Sequence, residues 1–108
     1  MIIAKLDMAG DDVCNGFTVK GHSGSAPEGR DIICAAVSAI VQTALIGLDE
    51  VAKIGNTYSI SDGFVECRLP DNLDKDRFCK AQIIIRVMRL GLESIAEQNH
   101  DFVRIKED

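Results

Sequence analysis

Gly21-His22-Ser23-Gly24-Ser25-Ala26-Pro27-Glu28-Gly29-Arg30-Asp31-Ile32-Ile33-Cys34-Ala35-Ala36-Val37-Ser38 is the stretch in which one kind of local structure gives way to another. Upstream of it, apolar side chains recur at every second position, the period of a strand. Downstream, an apolar run continues to Leu48, broken only by Ser38, Gln42, Thr43 and Gly47, which is long enough for a buried helix. Between the two, residues His22 to Arg30 hold two glycines, two serines, an alanine and a proline, none able to anchor a core. Asp31 stands where an N-cap belongs, its carboxylate placed to accept from the backbone of the first turn. A strand, a small-residue connection and an apolar helix therefore follow one another, and the rest of the chain has to be arranged around that handover.

Upstream, Ile2, Ala4, Leu6 and Met8 share one face of a first strand, with Lys5 and Asp7 on the other. Ala9-Gly10-Asp11-Asp12 supplies turn chemistry. Val13, Phe17 and Val19 point one way in a second strand, opposite Cys14, Thr18 and Lys20, and continued alternation puts His22 on the Thr18 side, where it is reachable. Downstream, the first helix extends from about Ile32 to about Ala52. It is apolar nearly all round in its first half, so it is expected to pack on two sides, the second side being another helix or a second copy of the chain. Tyr58 and Ile60 open a third strand, Asp62-Gly63 makes a tight turn, and Val65, Cys67 and Leu69 face inward from a fourth. Pro70-Asp71-Asn72 ends it. Phe78, Ala81, Ile85, Met88, Leu92 and Ile95 then form the stripe of a helix from about Asp74 to about Gln98, and Phe102, Val103 and Ile105 make a short final strand. The order ββαββαβ predicts an α+β fold, a two-layer sandwich of a mostly antiparallel sheet and two long helices.

The gross numbers narrow the function. A chain of 108 residues has material for one domain, taken as 1–108. It is 46% hydrophobic and 27% charged, the balance of a globular protein rather than a disordered one. Twelve Lys and Arg against seventeen Asp and Glu give a net charge of −5, with no basic cluster, which argues against nucleic acid as a partner and for a basic protein or peptide. No signal-peptide pattern opens the sequence, and the apolar run reads as a core helix rather than a membrane span, so a cytoplasmic location with reduced thiols is expected. The four cysteines lack CxxC spacing, no cofactor motif is present, and neither a metal site nor a cofactor is expected.

The chemistry of the junction lies in two residues. Cys34 falls in the first helical turn, where backbone N–H groups lack intrahelical acceptors and the helix dipole is positive, both favouring thiolate. A helix end contributes roughly 0.3–1 kcal/mol when exposed and up to about 2 kcal/mol when partly buried, about one pKa unit in all, so a neighbouring imidazolium is needed as well. His22 lies twelve positions earlier, and a loop of that length returns its ends to contact; His100 is far along the chain. Cys34 and His22 are thus the candidate nucleophile and base. Asp31 could orient the imidazole or simply cap the helix, and Ser38, one turn beyond Cys34, could support the site. Gly21, Ser23, Gly24 and Gly29 form the candidate substrate loop, whose N–H groups could hold an oxyanion. The residues alone also admit blander readings. Free cysteines are commonly packing residues, which is the expectation for Cys14, Cys67 and Cys79, and a non-catalytic peptide-binding module could use the same loop as a clamp. A redox protein is a third reading, weakened by the lack of a resolving cysteine nearby.

Gly21-His22 followed by Gly29-Arg30-Asp31-Ile32-Ile33-Cys34-Ala35-Ala36-Val37-Ser38 closely resembles the pattern of the ribosomal-processing cysteine protease family of small bacterial proteins. In that family the pattern is Gly-His, a small-residue loop, then Gly-x-Asp-Ile-[Val/Ile]-Cys-Ala-Ala-Val-Ser. The resemblance implies a cytoplasmic cysteine endopeptidase that removes the N-terminal extension of a large-subunit ribosomal protein, L-twenty-seven. It implies Cys34 as nucleophile, His22 as base, Asp31 and Ser38 as supporting residues, and a homodimer. Ser25, Ala26 and Pro27 lie where family members vary, so the resemblance says nothing about substrate detail there.

Overall fold

A computed structural model describes residues 1–22, 31–55 and 57–107. The elements follow the predicted order: β1 (Ile2–Met8), β2 (Cys14–Lys20), α1 (Ile32–Glu50), β3 (Tyr58–Ser61), β4 (Phe64–Arg68), α2 (Lys75–Gln98) and β5 (Val103–Glu107). The strands make one five-stranded sheet in the order β3-β4-β2-β1-β5. Every neighbouring pair is antiparallel except β1 and β5, which run parallel because α2 carries the chain from one edge region back to the other. The α+β class and the two-layer arrangement are as the sequence predicts.

Register explains where the core sits. Leu6 opposes Phe17 and Ala4 opposes Val19 across β1 and β2, while Phe17 opposes Cys67 across β2 and β4, so one sheet face carries the large apolar side chains. That face meets the inner stripes of both helices: Val37, Val41, Ala44, Leu45 and Leu48 from α1, and Ala81, Ile85, Met88 and Leu92 from α2. The helices come close where a glycine on one faces an isoleucine on the other. A Cβ on Gly47 would sit 3.3 Å from Ile84, and one on Gly91 equally close to Ile40.

Two departures from strict alternation matter. Asp7 pairs with Gly16 but Met8 pairs with Cys14, leaving Asn15 without a partner as a β-bulge. The extra residue turns Cys14 inward, where it is buried on the same side as Phe17 rather than opposite it as plain alternation predicts. Gln82 of α2 holds this irregular point: the Cys14 N–H donates to Gln82 Oε1 at 2.8 Å, and Gln82 Nε2 donates to the Cys14 carbonyl at 2.9 Å. At the other end of β2, Gly21 adopts φ +101°, a conformation open to glycine at little steric cost, and strand alternation stops there. His22 accordingly joins the helix side of the sheet instead of continuing the Thr18 face.

α1 has a further property. Over its length it is apolar enough to cross a bilayer, with a mean hydropathy of 1.9. Its inner side is the core just described, but its outer side is apolar too. Ile46 on α1 and Ile83, Val87 and Leu90 on α2 are all more than half exposed. Ile83 and Val87 border a groove of about 520 Å³ along the outer helix face, with Ala39, Ile40, Thr43 and Gly47 on its α1 side.

Candidate active site

Three connections meet at one end of the sheet. Lys20 pairs with Phe64, so the tight turn between β3 and β4 lies beside the end of β2, and Gly21 N–H donates to the Gly63 carbonyl at 2.8 Å. Ile3 pairs with Lys20, which brings the start of β1 alongside as well, and the Met1 amino group donates to the His22 carbonyl. A side chain at Gly21 would collide with the Met1 carbonyl. The main chain of His22 is thus held between two neighbours, while its ring is exposed.

α1 opens against the same corner. Asp31 is its N-cap, in extended conformation with φ −83° and ψ 95°, and Asp31 Oδ1 accepts from the Cys34 N–H at 2.9 Å. Cys34 therefore occupies the third helical position, half-buried, at the electropositive end of the helix. Its Sγ lies 3.8 Å from His22 Nδ1, contact range for a sulfur–nitrogen pair and close enough for proton exchange after a small adjustment. With Nδ1 facing the sulfur, the neutral imidazole that accepts the thiol proton carries its own proton on Nε2. The N–H groups of Ile32 and Ile33 also open onto the helix mouth with no intrahelical acceptor, while that of Cys34 is taken by the cap.

The pair lies in a cleft of about 280 Å³. Val37, Ser38, Val41 and Gln42 line it from α1, and Ile60, Ser61, Asp62, Gly63, Phe64 and Val65 from the β3–β4 hairpin. Ser38 is exposed one turn after Cys34, and its Oγ accepts from Gln42 Nε2 at 2.8 Å. The structure thus brings Gly21, His22, Asp31, Cys34 and Ser38 to one place. Ser23, Gly24 and Gly29 lie outside the described residues.

The hairpin wall was not legible as part of the site. Asp62-Gly63 shows as a turn in the sequence, but only the pairing of β2 with β4 puts that turn next to the imidazole. The other thiols are placed differently. Cys14 and Cys67 are buried, and burial raises both of their pKa values, that of Cys67 to about 11; Cys79 is exposed on α2. Among the described residues no group of three or more His, Cys, Asp or Glu side chains could hold a metal ion.

A family model described as cysteine protease Prp matches residues 1–104 of this chain. The chain belongs to the Prp cysteine protease family. A curated relative, the ribosomal processing cysteine protease Prp of Bacillus subtilis (strain 168), is 31% identical over 111 residues, covering 97% of this chain and 96% of that one. Among solved structures, Prp from S. aureus with a covalently linked product peptide superposes with a TM-score of 0.89 at 21% identity, covering all of both chains. Prp from S. aureus with a substrate peptide gives a TM-score of 0.83 at 20% identity, again over both whole chains. SMU.848 from Streptococcus mutans gives 0.76 at 26% identity over 99% of this chain and 93% of that one. These likenesses establish the fold, and family membership makes the chain a cysteine protease.

Proposed function

We propose that residues 1–108 act as one cysteine endopeptidase domain, with Cys34 as nucleophile and His22 as general base and acid. The observation that carries this is the 3.8 Å approach of Cys34 Sγ to His22 Nδ1 at the amino end of α1, inside a cleft of about 280 Å³. His22 takes the thiol proton, and the Cys34 thiolate attacks the scissile carbonyl carbon. As the tetrahedral intermediate collapses, the carbon–nitrogen bond breaks and His22 Nδ1 delivers the proton to the leaving amine. A water molecule, deprotonated by His22, then cleaves the thioester, releasing the new carboxylate and restoring the thiol. The first-turn N–H groups of Ile32 and Ile33 are the described donors suited to the oxyanion, since Asp31 occupies that of Cys34.

The substrate is proposed to be the precursor of ribosomal protein L-twenty-seven, its N-terminal extension removed in the cytoplasm. Support comes from the family and from the relative named for ribosomal processing. The net charge of −5 suits a basic ribosomal protein as partner. We further propose a homodimer in which two copies pair through the apolar outer groove of α1 and α2, an interface that would also cover the exposed Ile46, Ile83 and Val87.

The test is incubation with the L-twenty-seven precursor, followed by mass measurement. The parent protein is expected to give one shortened product, and Cys34→Ala and His22→Ala to give none over the same period. Cys34→Ser should also lose most activity, because a hydroxyl beside an imidazole without a strong orienting partner is a poor nucleophile. Cleavage by Cys34→Ala at the parent rate would remove the proposal.

A further inference from the structure

The far edge of the His22 ring fills the space that a side chain at Gly63 would take. His22 Nδ1 faces Cys34, and the opposite nitrogen, Nε2, lies beside Gly63 in the β3–β4 turn. An ideal Cβ built on Gly63 would come within 2.9 Å of His22 Nε2 and 3.5 Å of both Cδ2 and Cε1. No real Cβ sits that close to a ring nitrogen, so any side chain at this position displaces the imidazole. The same turn fixes the main chain just before the ring, through the bond from Gly21 N–H to the Gly63 carbonyl.

From this geometry we infer that Gly63 is a positioning residue for catalysis: its lack of a side chain leaves the room in which His22 Nδ1 faces the Cys34 sulfur. The inference rests on the reading of His22 and Cys34 as the catalytic pair, and adds to it a residue from the opposite wall of the cleft. Two physical points separate it from an ordinary turn glycine. The ring is the exposed end of a side chain with two rotatable bonds, so it yields more readily than the surrounding backbone. A Cβ at Gly63 should therefore cost little folding stability while moving the group the chemistry needs. The ring also has little room to move without consequence, because Nδ1 already stands at 3.8 Å from the sulfur and retreat ends proton exchange.

Gly63 has φ +68°, so a substitution there carries backbone strain as well as the clash. Gly10, in the β1–β2 turn, has φ +92° and nothing within 4 Å of a built Cβ, and supplies the strain without the contact. Three variants separate the effects. Gly10→Ala and Gly63→Ala should lower Tm by similar amounts. Gly63→Asn keeps the offending Cβ but tolerates positive φ better, so it remains informative if Gly63→Ala folds poorly. For peptide cleavage, both Gly63 variants should lose at least tenfold in kcat with KM changed less than twofold, and Gly10→Ala should match the parent.

A second readout does not depend on turnover. The pH profile of Cys34 alkylation by iodoacetamide should shift in both Gly63 variants towards that of His22→Ala, and stay at the parent profile in Gly10→Ala. Parent-like kcat in Gly63→Asn would overturn the inference, as would lost activity with a parent-like alkylation profile. If the parent itself cleaves no precursor, the peptidase reading falls, whereas the alkylation comparison still decides whether Gly63 aims the imidazole.

Discussion

Cys67 has no solvent exposure, and burial pushes its thiol pKa from 9.0 up to about 11, partly offset by the neighbouring Thr57 hydroxyl. Below pH 9 the thiol keeps its proton in both folded and unfolded chains. Above that, the unfolded chain releases it first, so stability present at lower pH is lost as pH rises through 9 to 11. Two pKa units correspond to about 3 kcal/mol. Urea midpoints measured from pH 8 to pH 11 should fall less steeply for Cys67→Ala than for the parent, and equal slopes would exclude the assignment. The same residue scale shows what sequence could and could not say about the site. His22, Asp31, Cys34 and Ser38 stand out because their chemistry and spacing are local, crossing a single loop. Gly63 does not stand out, because its effect on His22 depends on strand pairing between segments some forty positions apart.

Elements were legible where periodicity ran unbroken. The α2 stripe Ala81, Ile85, Met88, Leu92 is buried as its spacing predicts, and the Asp-Gly hairpin falls where two short alternating runs meet. Alternation misleads at the start of β2, where the unpaired Asn15 turns Cys14 into the core; the adjacent Gly16 is the one local cue to that bulge. Its anchor is the Gln82 side chain, which satisfies both backbone groups of Cys14 across the gap between sheet and α2. Replacing Gln82 with Ala leaves both groups without those partners and should cost about 1–3 kcal/mol for each that water fails to reach. Denaturant unfolding of Gln82→Ala checks this, with Lys80→Ala on the exposed side of the same helix expected to stay within about 0.5 kcal/mol of the parent.

Across the whole molecule, the working corner and the outer helix face are separate. The cleft is built from the end of β2, the start of α1 and the β3–β4 hairpin, whereas the apolar groove runs along the other side of the helix pair. An arginine at Val87, which is 64% exposed, should leave the fold intact and place a charge at the centre of the proposed dimer contact. Light scattering should then report a monomer for Val87→Arg and twice that mass for the parent. A parent that remains monomeric at high micromolar concentration would dismiss the pairing. The parallel placement of β5 has a practical outcome at this scale. Because Val103 lies beside Ile2 and Glu107 beside Leu6, the final strand leads away from His22 towards the opposite rim. A fluorescent reporter or surface tether joined beyond Glu107 would hang clear of incoming polypeptide, while one joined ahead of Met1 would crowd the imidazole's own threshold.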